Sequence, residues 1–110
     1  MNIKIANHVI KLTPRLKERI QQRVGLAMGR YADRIGTVAV KFVLVNQKSG
    51  RPQQRCRINV TLAKKVIVET HDADVFASVD RAIENATRRI AMAIKQEVAS
   101  EAAVNKRKPK

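Results

Sequence analysis

Aromatic residues are scarce in this sequence of 110 residues, where Tyr31, Phe42 and Phe76 make up only 3% of the chain. Proteins that bind single-stranded RNA usually stack its bases on several exposed aromatic rings. Three rings cannot supply such a surface. Any binding of nucleic acid should therefore depend on contacts with phosphates and on shape.

Cysteines and long apolar runs are also missing. Cys56 is the only cysteine, so no internal disulfide can form, which is typical of a reducing compartment such as the cytoplasm. The opening segment MNIKIANHVI lacks the apolar core of a signal peptide, and no segment approaches the ~20 apolar residues of a membrane span. We therefore expect a cytoplasmic protein that has no membrane partner.

The residue patterns of catalytic sites are absent as well. The sequence contains no glycine-rich phosphate loop and no serine nucleophile elbow, and His8 and His71 are its only histidines. His71, Asp72 and Asp74 could suggest a metal site, but helix capping explains the aspartates and no second cluster of ligands exists. Cys56 falls on the inward side of a predicted strand, where a buried and inert thiol is expected. We expect no enzymatic activity, no metal, no cofactor and no small-molecule substrate.

Acidic residues are few, and basic residues dominate the charge. Lysine and arginine total 23 against 9 acids, a formal net charge of +14. Self-repulsion of this size works against the compact state, which indicates a polyanionic partner that neutralises it. Nucleic acid is the leading candidate, because a duplex carries one negative charge per ~1.7 Å of its axis. The 45% hydrophobic content is sufficient for the core of a single domain.

Hydrophobic periodicity predicts the element order β-α-β-β-β-α. The expected elements are a strand over 2–5, a helix from Thr13-Pro14 that stops at Gly36, strands over 37–46, 54–63 and 66–70, and a helix capped by Asp74 that frays after Val98. A polar turn is expected over 48–52. This order predicts a two-layer α+β sandwich, in which both helices cover one face of a four-stranded sheet and the first two strands are parallel.

Apolar spacing predicts which helix residues enter the core. In the first helix they are Leu16, Ile20, Val24, Ala27, Met28 and Tyr31, and in the second they are Phe76, Val79, Ile83, Ala86, Ile90 and Ile94. We expect a single domain over residues 1–98. Residues 99–110 should form a frayed helix end and a basic tail.

Basic residues recur at helical spacing beside these apolar faces. We predict that they form one RNA-binding surface, made of Arg19, Arg23, Arg30 and Arg34 from the first helix and Arg81, Arg88, Arg89 and Lys95 from the second. The alternative is an ordinary solvated helix face, which the shortage of acids disfavours. Arg55 and Arg57, on the open face of the sheet, are weaker candidates, and charge that protects a sheet edge explains them equally well.

The start of the second helix carries a motif that resembles a known family. Residues 74–80, Asp-Val-Phe-Ala-Ser-Val-Asp, resemble the Asp-Met-Tyr-Ala-Ala-Ile-Asp signature of the ribosome hibernation factors, the hibernation-promoting factor and the ribosome-associated inhibitor. The segments 9–13 and 33–35 also look like that family. The resemblance covers nearly the whole chain and is to the short class, whose members lack a C-terminal dimerisation domain.

This resemblance implies both a fold and a function. The family's fold is similar to a double-stranded-RNA-binding domain with an extra N-terminal strand. Its members bind the decoding channel of the small ribosomal subunit and its rRNA, where they exclude messenger RNA and tRNA, and the chain is then expected to be monomeric away from the ribosome. Arg23 and Arg88 match positions that are usually basic in the family.

Several positions depart from the family pattern. Leu26, Asn85 and Met92 stand where lysine is frequent, and Phe76 replaces the usual tyrosine. Arg30, Arg81 and Arg89 add charge elsewhere.

Two other functions stay open: a general duplex-RNA-binding protein or RNA chaperone, and a regulator that binds an acidic protein. A steep loss of affinity with salt favours RNA over an apolar protein interface.

Overall fold

The protein is described by a computed structural model over residues 1–7, 13–46 and 52–107, with side-chain surroundings for 1–6, 13–43 and 53–101. The predicted element order is confirmed. The elements are β1 (Asn2–Asn7), α1 (Pro14–Met28), a 3-10 turn (Gly29–Tyr31), β2 (Thr37–Asn46), β3 (Pro52–Val60), β4 (Val66–Asp72) and α2 (Val75–Arg107). The motif at 9–12, His8, the turn at 48–51 and the last three residues lie outside the described residues.

The four strands form one mixed sheet in the order β1-β2-β3-β4. β1 pairs with β2 in parallel, and the β2–β3 and β3–β4 pairs are antiparallel. In this register Val40 lies between Ile5 on β1 and Ile58 on β3. β3 is therefore an interior strand, and β1 and β4 are the two edges.

The hydrophobic core lies between the two helices and one face of the sheet. The sheet supplies Val38, Val40, Phe42, Cys56, Ile58, Val60, Val66 and Val68, and the helices supply Leu16, Ile20, Val24, Met28, Val79, Ala82, Ile83, Ala86 and Ile90. Each fully buried aliphatic side chain contributes roughly 1.5–3 kcal/mol to stability. Among the described residues, no helix is long and apolar enough to cross a membrane.

Helix α1 begins as predicted but ends earlier. Thr13 is the N-cap, since its Oγ1 accepts a hydrogen bond from the Leu16 backbone N–H at 3.2 Å, and Pro14 occupies the first helical position. The predicted stop at Gly36 is wrong, because α1 ends at Met28 and continues as the 3-10 turn that begins at Gly29. Glycine weakens a helix interior, and Gly25 and Gly29 both fall in this last stretch.

The ends of β3, β4 and α2 also differ from expectation. β3 ends at Val60 rather than at residue 63, and β4 continues to Asp72, so His71 and Asp72 belong to a strand rather than to a loop. Asp74 does cap α2, with its Oδ1 accepting from the Phe76 backbone N–H at 3.0 Å. The helix α2 extends past Val98 to Arg107.

Phe76 is the one predicted core residue of α2 that the structure places outside the core. Its side chain is 37% exposed. It lies in the first turn of α2, where its neighbour is the Arg19 side chain of α1, whose guanidinium carbon is 5.0 Å from the ring centroid. Ile94 is half-buried and packs against the core.

Candidate nucleic-acid interface

The two helices lie side by side, and a carboxylate joins them. Asp80 of α2 faces two arginines of α1, with its Oδ2 3.4 Å from Arg19 Nη2 and its Oδ1 3.8 Å from Arg23 Nε. We call this group the Asp80 clasp. Arg19 and Asp80 are partly buried, so solvent screens their attraction less than that of an exposed pair, whereas Arg23 is exposed. The clasp holds two positive groups close together at the outer junction of the helices.

An open groove of about 550 Å³ continues from the Asp80 clasp between the helices. Arg23 lies on its α1 side and Arg88 on its α2 side, and Leu26, Ala27 and Ile83 give it an apolar lining. Leu26 is 86% exposed, which is unusual for a large apolar side chain. The groove therefore combines an apolar surface with one arginine from each helix, and the carboxylates that pair with them, Asp80 and Glu84, also line it.

Arg88 points away from the core, as predicted. Its Nη2 lies 3.0 Å from Glu84 Oε1, one helical turn earlier, and both side chains are more than two-thirds exposed. Exposed ion pairs of this kind contribute only about 0.3–0.5 kcal/mol, so a phosphate can readily replace the carboxylate. Lys95 is also exposed on α2, and it has no ion pair among the described residues.

Arg30 and Arg34 do not continue the row of Arg19 and Arg23. Because α1 ends at Met28, Arg30 lies in the 3-10 turn and Arg34 lies beyond it. Arg34 Nη1 is 3.6 Å from Glu97 Oε2 of α2, and the Arg30 guanidinium lies 5.7 Å from the Tyr31 ring centroid. The predicted spacing of successive helical turns is therefore wrong for these two residues.

Arg81 and Arg89 are engaged by the edge strand β4. Arg81 Nη2 donates to the His71 carbonyl at 2.7 Å and to Asp72 Oδ2 at 2.8 Å. Arg89 Nη1 donates to the Ile67 carbonyl at 2.8 Å. Both side chains thus bind the backbone of a sheet edge, which protects that edge from pairing with another strand.

The open face of the sheet, which the helices do not cover, holds a second set of basic residues. Arg57 Nε is 4.0 Å from Glu69 Oε1, and Arg55 Nε donates to His71 Nε2 at 3.3 Å. Protection of a sheet edge does not explain these arginines, because β3 is an interior strand. The sequence pattern could not reveal this, since it does not fix the order of the strands.

The residues considered for catalysis have structural roles. Cys56 is fully buried, and this burial raises the pKa of its thiol from 9.0 to about 12, opposed by the nearby Ser78 hydroxyl. Asp72 pairs with Arg81, and Asp74 caps α2. No group of three His, Cys, Asp or Glu side chains that could hold a metal ion occurs in the described part of the chain.

Solved structures of other proteins have the same fold as this chain. A ribosomal subunit interface protein from Coxiella burnetii is similar with a TM-score of 0.72 at 15% identity, over 86% of this chain and 99% of that one. The N-terminal domain of Protein Y from Thermus thermophilus is similar with a TM-score of 0.63 at 27% identity, over 82% of this chain and 96% of that one. Comparison with curated proteins gives no significant match.

The fold therefore defines a class of two-layer α+β domains that includes ribosomal subunit interface proteins. The model of one family matches residues 3–95. The chain belongs to this family, which is described as sigma 54 modulation protein / S30EA ribosomal protein. It is a family of ribosome-binding interface and hibernation factors, and the resemblance found in residues 74–80 is thereby confirmed.

Proposed function

We propose that this protein binds the small ribosomal subunit through the outer surface of α1 and α2 and occupies the decoding channel. There it excludes messenger RNA and tRNA, and translation stops without any chemical step. The protein acts in the cytoplasm and is monomeric away from the ribosome. Its affinity comes from arginine contacts with rRNA phosphates.

The observation that carries this proposal is the groove between the helices. Arg23 and Arg88 both line it, and they belong to different helices. A phosphate backbone that follows the groove can contact both walls, and guanidinium groups can bind phosphates through two parallel hydrogen bonds. Arg19 and Lys95 lie on the same two helices, and Arg30 and Arg34 lie in and just after the 3-10 turn that follows α1.

Arg81 and Arg89 have a secondary role in this proposal. Their guanidinium groups already bind carbonyls of β4, so a phosphate must share or displace those hydrogen bonds. We therefore assign the main contacts to Arg23 and Arg88. The other basic residues of the predicted set contribute longer-range attraction.

Co-sedimentation with separated ribosomal subunits tests this function. The wild-type protein should bind small subunits saturably, and tRNA should displace it. Reversing charge at both groove walls, by Arg23→Glu and Arg88→Glu, should weaken binding by about 100-fold or more, because two phosphate contacts become repulsive. The matched control is Lys64→Glu with Lys65→Glu, which makes the same charge change at exposed positions in the bend before β4.

The outcomes separate the alternatives. If the groove variant binds as tightly as the control variant, the assignment of the groove is wrong. Equal binding of the wild type to both subunits and to unrelated duplex RNA favours a general RNA-binding protein. Binding that is insensitive to salt favours a mainly apolar protein interface over RNA. Circular dichroism spectra show whether each variant is folded.

A further inference from the structure

The open face of the sheet carries a basic patch on the side of the molecule opposite the helices. Side chains alternate across a strand, so residues adjacent to the buried Val40, Phe42 and Ile58 point away from the core. The basic residues brought to this face are Lys4 of β1, Lys41 of β2, and Arg55 and Arg57 of β3. We call these four residues the sheet patch.

The pairing of the strands places two of these cations directly opposite each other. Lys41 is the register partner of Arg57 across the β2–β3 pair. Side chains of such partners start about 5 Å apart, and like charges in this position are unfavourable. Lys41 has no ion pair among the described residues. The juxtaposition is therefore a cost to the free protein that an anion bound between the two cations removes.

Acidic groups on this face are too few to neutralise it. Among the described residues of the four strands, Glu69 is the only carboxylate that shares the face with the sheet patch. It lies 4.0 Å from Arg57, and both side chains are at least 39% exposed, so the pair is weak. Four cations thus share one carboxylate.

The residues between the cations of the sheet patch have short side chains. Ala39 and Val43 flank Lys41 on the same face of β2, and neither is long enough to shield the neighbouring charges. Lys4, Lys41 and Arg57 are all exposed. Cations that project from paired strands, with only small side chains between them, can contact successive phosphates of an RNA backbone.

From these observations we infer that the sheet patch is a second RNA-binding surface, so that one protein molecule contacts two RNA segments on opposite sides. The inference goes beyond the proposed function, which uses only the helices. Phosphates, rather than bases, are the groups recognised, because this face carries no described Phe, Tyr or Trp ring, and its one imidazole, His71, accepts a hydrogen bond from Arg55. The two surfaces act independently, since the sheet and the core separate them.

The test is a capture assay with naked RNA duplexes, which keeps it separate from ribosome binding. One short duplex is immobilised and saturated with protein, unbound protein is washed away, and a second, fluorescent duplex is added. The test variant is Lys41→Gln with Arg57→Gln, which removes charge without adding bulk. The matched control is Lys64→Gln with Lys65→Gln, which removes the same charge from the bend before β4.

Wild type and control should both capture the second duplex, and the sheet-patch variant should capture about tenfold less while retaining its binding to the first. Its melting temperature should be unchanged or higher, because the opposed cations are gone. Equal capture by the two variants overturns the inference. So does wild-type protein that stays on the immobilised duplex and captures no second one. Failure of small-subunit binding overturns only the proposed function.

Discussion

The helix side and the sheet side of this protein are both basic, but they hold their charge differently. On the helix side, five of the eight predicted residues have carboxylate partners: Arg19, Arg23, Arg34, Arg81 and Arg88. On the sheet side, only Arg57 of the four cations does. The side with more cations is therefore the more neutralised one. The number of basic residues alone does not determine the electrostatic potential at a surface, because that potential also depends on where the few acidic residues lie.

The first test asks whether residues of the helix side or of the sheet side can be substituted without loosening the packing of the hydrophobic core. Cys56 reports on this, because burial raises the pKa of its thiol to about 12. Alkylation of the native protein at neutral pH should be about 100-fold or more slower than that of the unfolded chain, since the thiolate is the reactive form. Rates followed by mass spectrometry check this. A surface variant in which Cys56 reacts rapidly has lost its core packing.

The same thiol gives a pH dependence with a defined sign. Its folded pKa of about 12 lies above the unfolded value of 9.0, so the neutral form is favoured in the folded state. This contribution to stability is present below pH 9.0 and is lost as the pH rises from 9.0 towards 12. Cys56→Ala should therefore show a shallower loss of stability than wild type over this range.

The second test compares the key carboxylates of the two sides. Asp80→Asn should destabilise the fold by about 1 kcal/mol, because it removes the carboxylate that the partly buried Arg19 and the exposed Arg23 share. Glu69→Gln should change stability by less than about 0.5 kcal/mol, because its ion pair is long and exposed. Urea unfolding of both variants measures the difference. Equal changes in the free energy of unfolding would mean that Asp80 on the helix side and Glu69 on the sheet side stabilise their arginines to the same extent.

The smallest effect comes from a helix-side change that leaves all charges in place. Gly25 lies inside α1, and a Cβ added there meets nothing within 4 Å. Gly25→Ala should therefore stabilise the protein by roughly 0.5–1 kcal/mol, through helix propensity alone. Small-subunit binding should not change. If the affinity of Gly25→Ala for small subunits differs from that of the wild type, the order of the α1 backbone contributes to binding as well as the charge.

The sequence predicted the parts of the fold that local chemistry decides. Thr13-Pro14 marked the start of α1, Asp74 the cap of α2, and alternating apolar residues the strands, because caps and periodicity act over a few residues. The end of α1 was missed because Gly36 offers a stop signal, whereas Gly29 already begins the 3-10 turn. Gly29 and Gly36 are both candidate stop signals, and spacing along the chain does not show which of them ends the helix.

The candidate site was less predictable than the fold. Periodicity found Arg19, Arg23 and Arg88, but it could not show that Asp80 lies between two of them, because that contact joins residues 61 positions apart in the chain. Spacing alone also could not show that Arg81 and Arg89 reach the carbonyls of β4. Arg55 and Arg57 could be interpreted only once β3 was known to be an interior strand. Pairing across the fold is the information that a single sequence lacks.

The Asp80 clasp has a consequence for how binding is measured. The salt dependence of RNA binding counts the ions that leave when a protein cation meets a phosphate. Arg19 and Arg23 share the Asp80 carboxylate in the free protein. A phosphate that displaces Asp80 gives up a cation to the solution, but the carboxylate that it leaves unpaired attracts a cation in its place. The change in log affinity with log salt concentration should thus indicate fewer phosphate contacts than the helix side makes. In the absence of RNA, Asp80 acts as the counterion of Arg19 and Arg23.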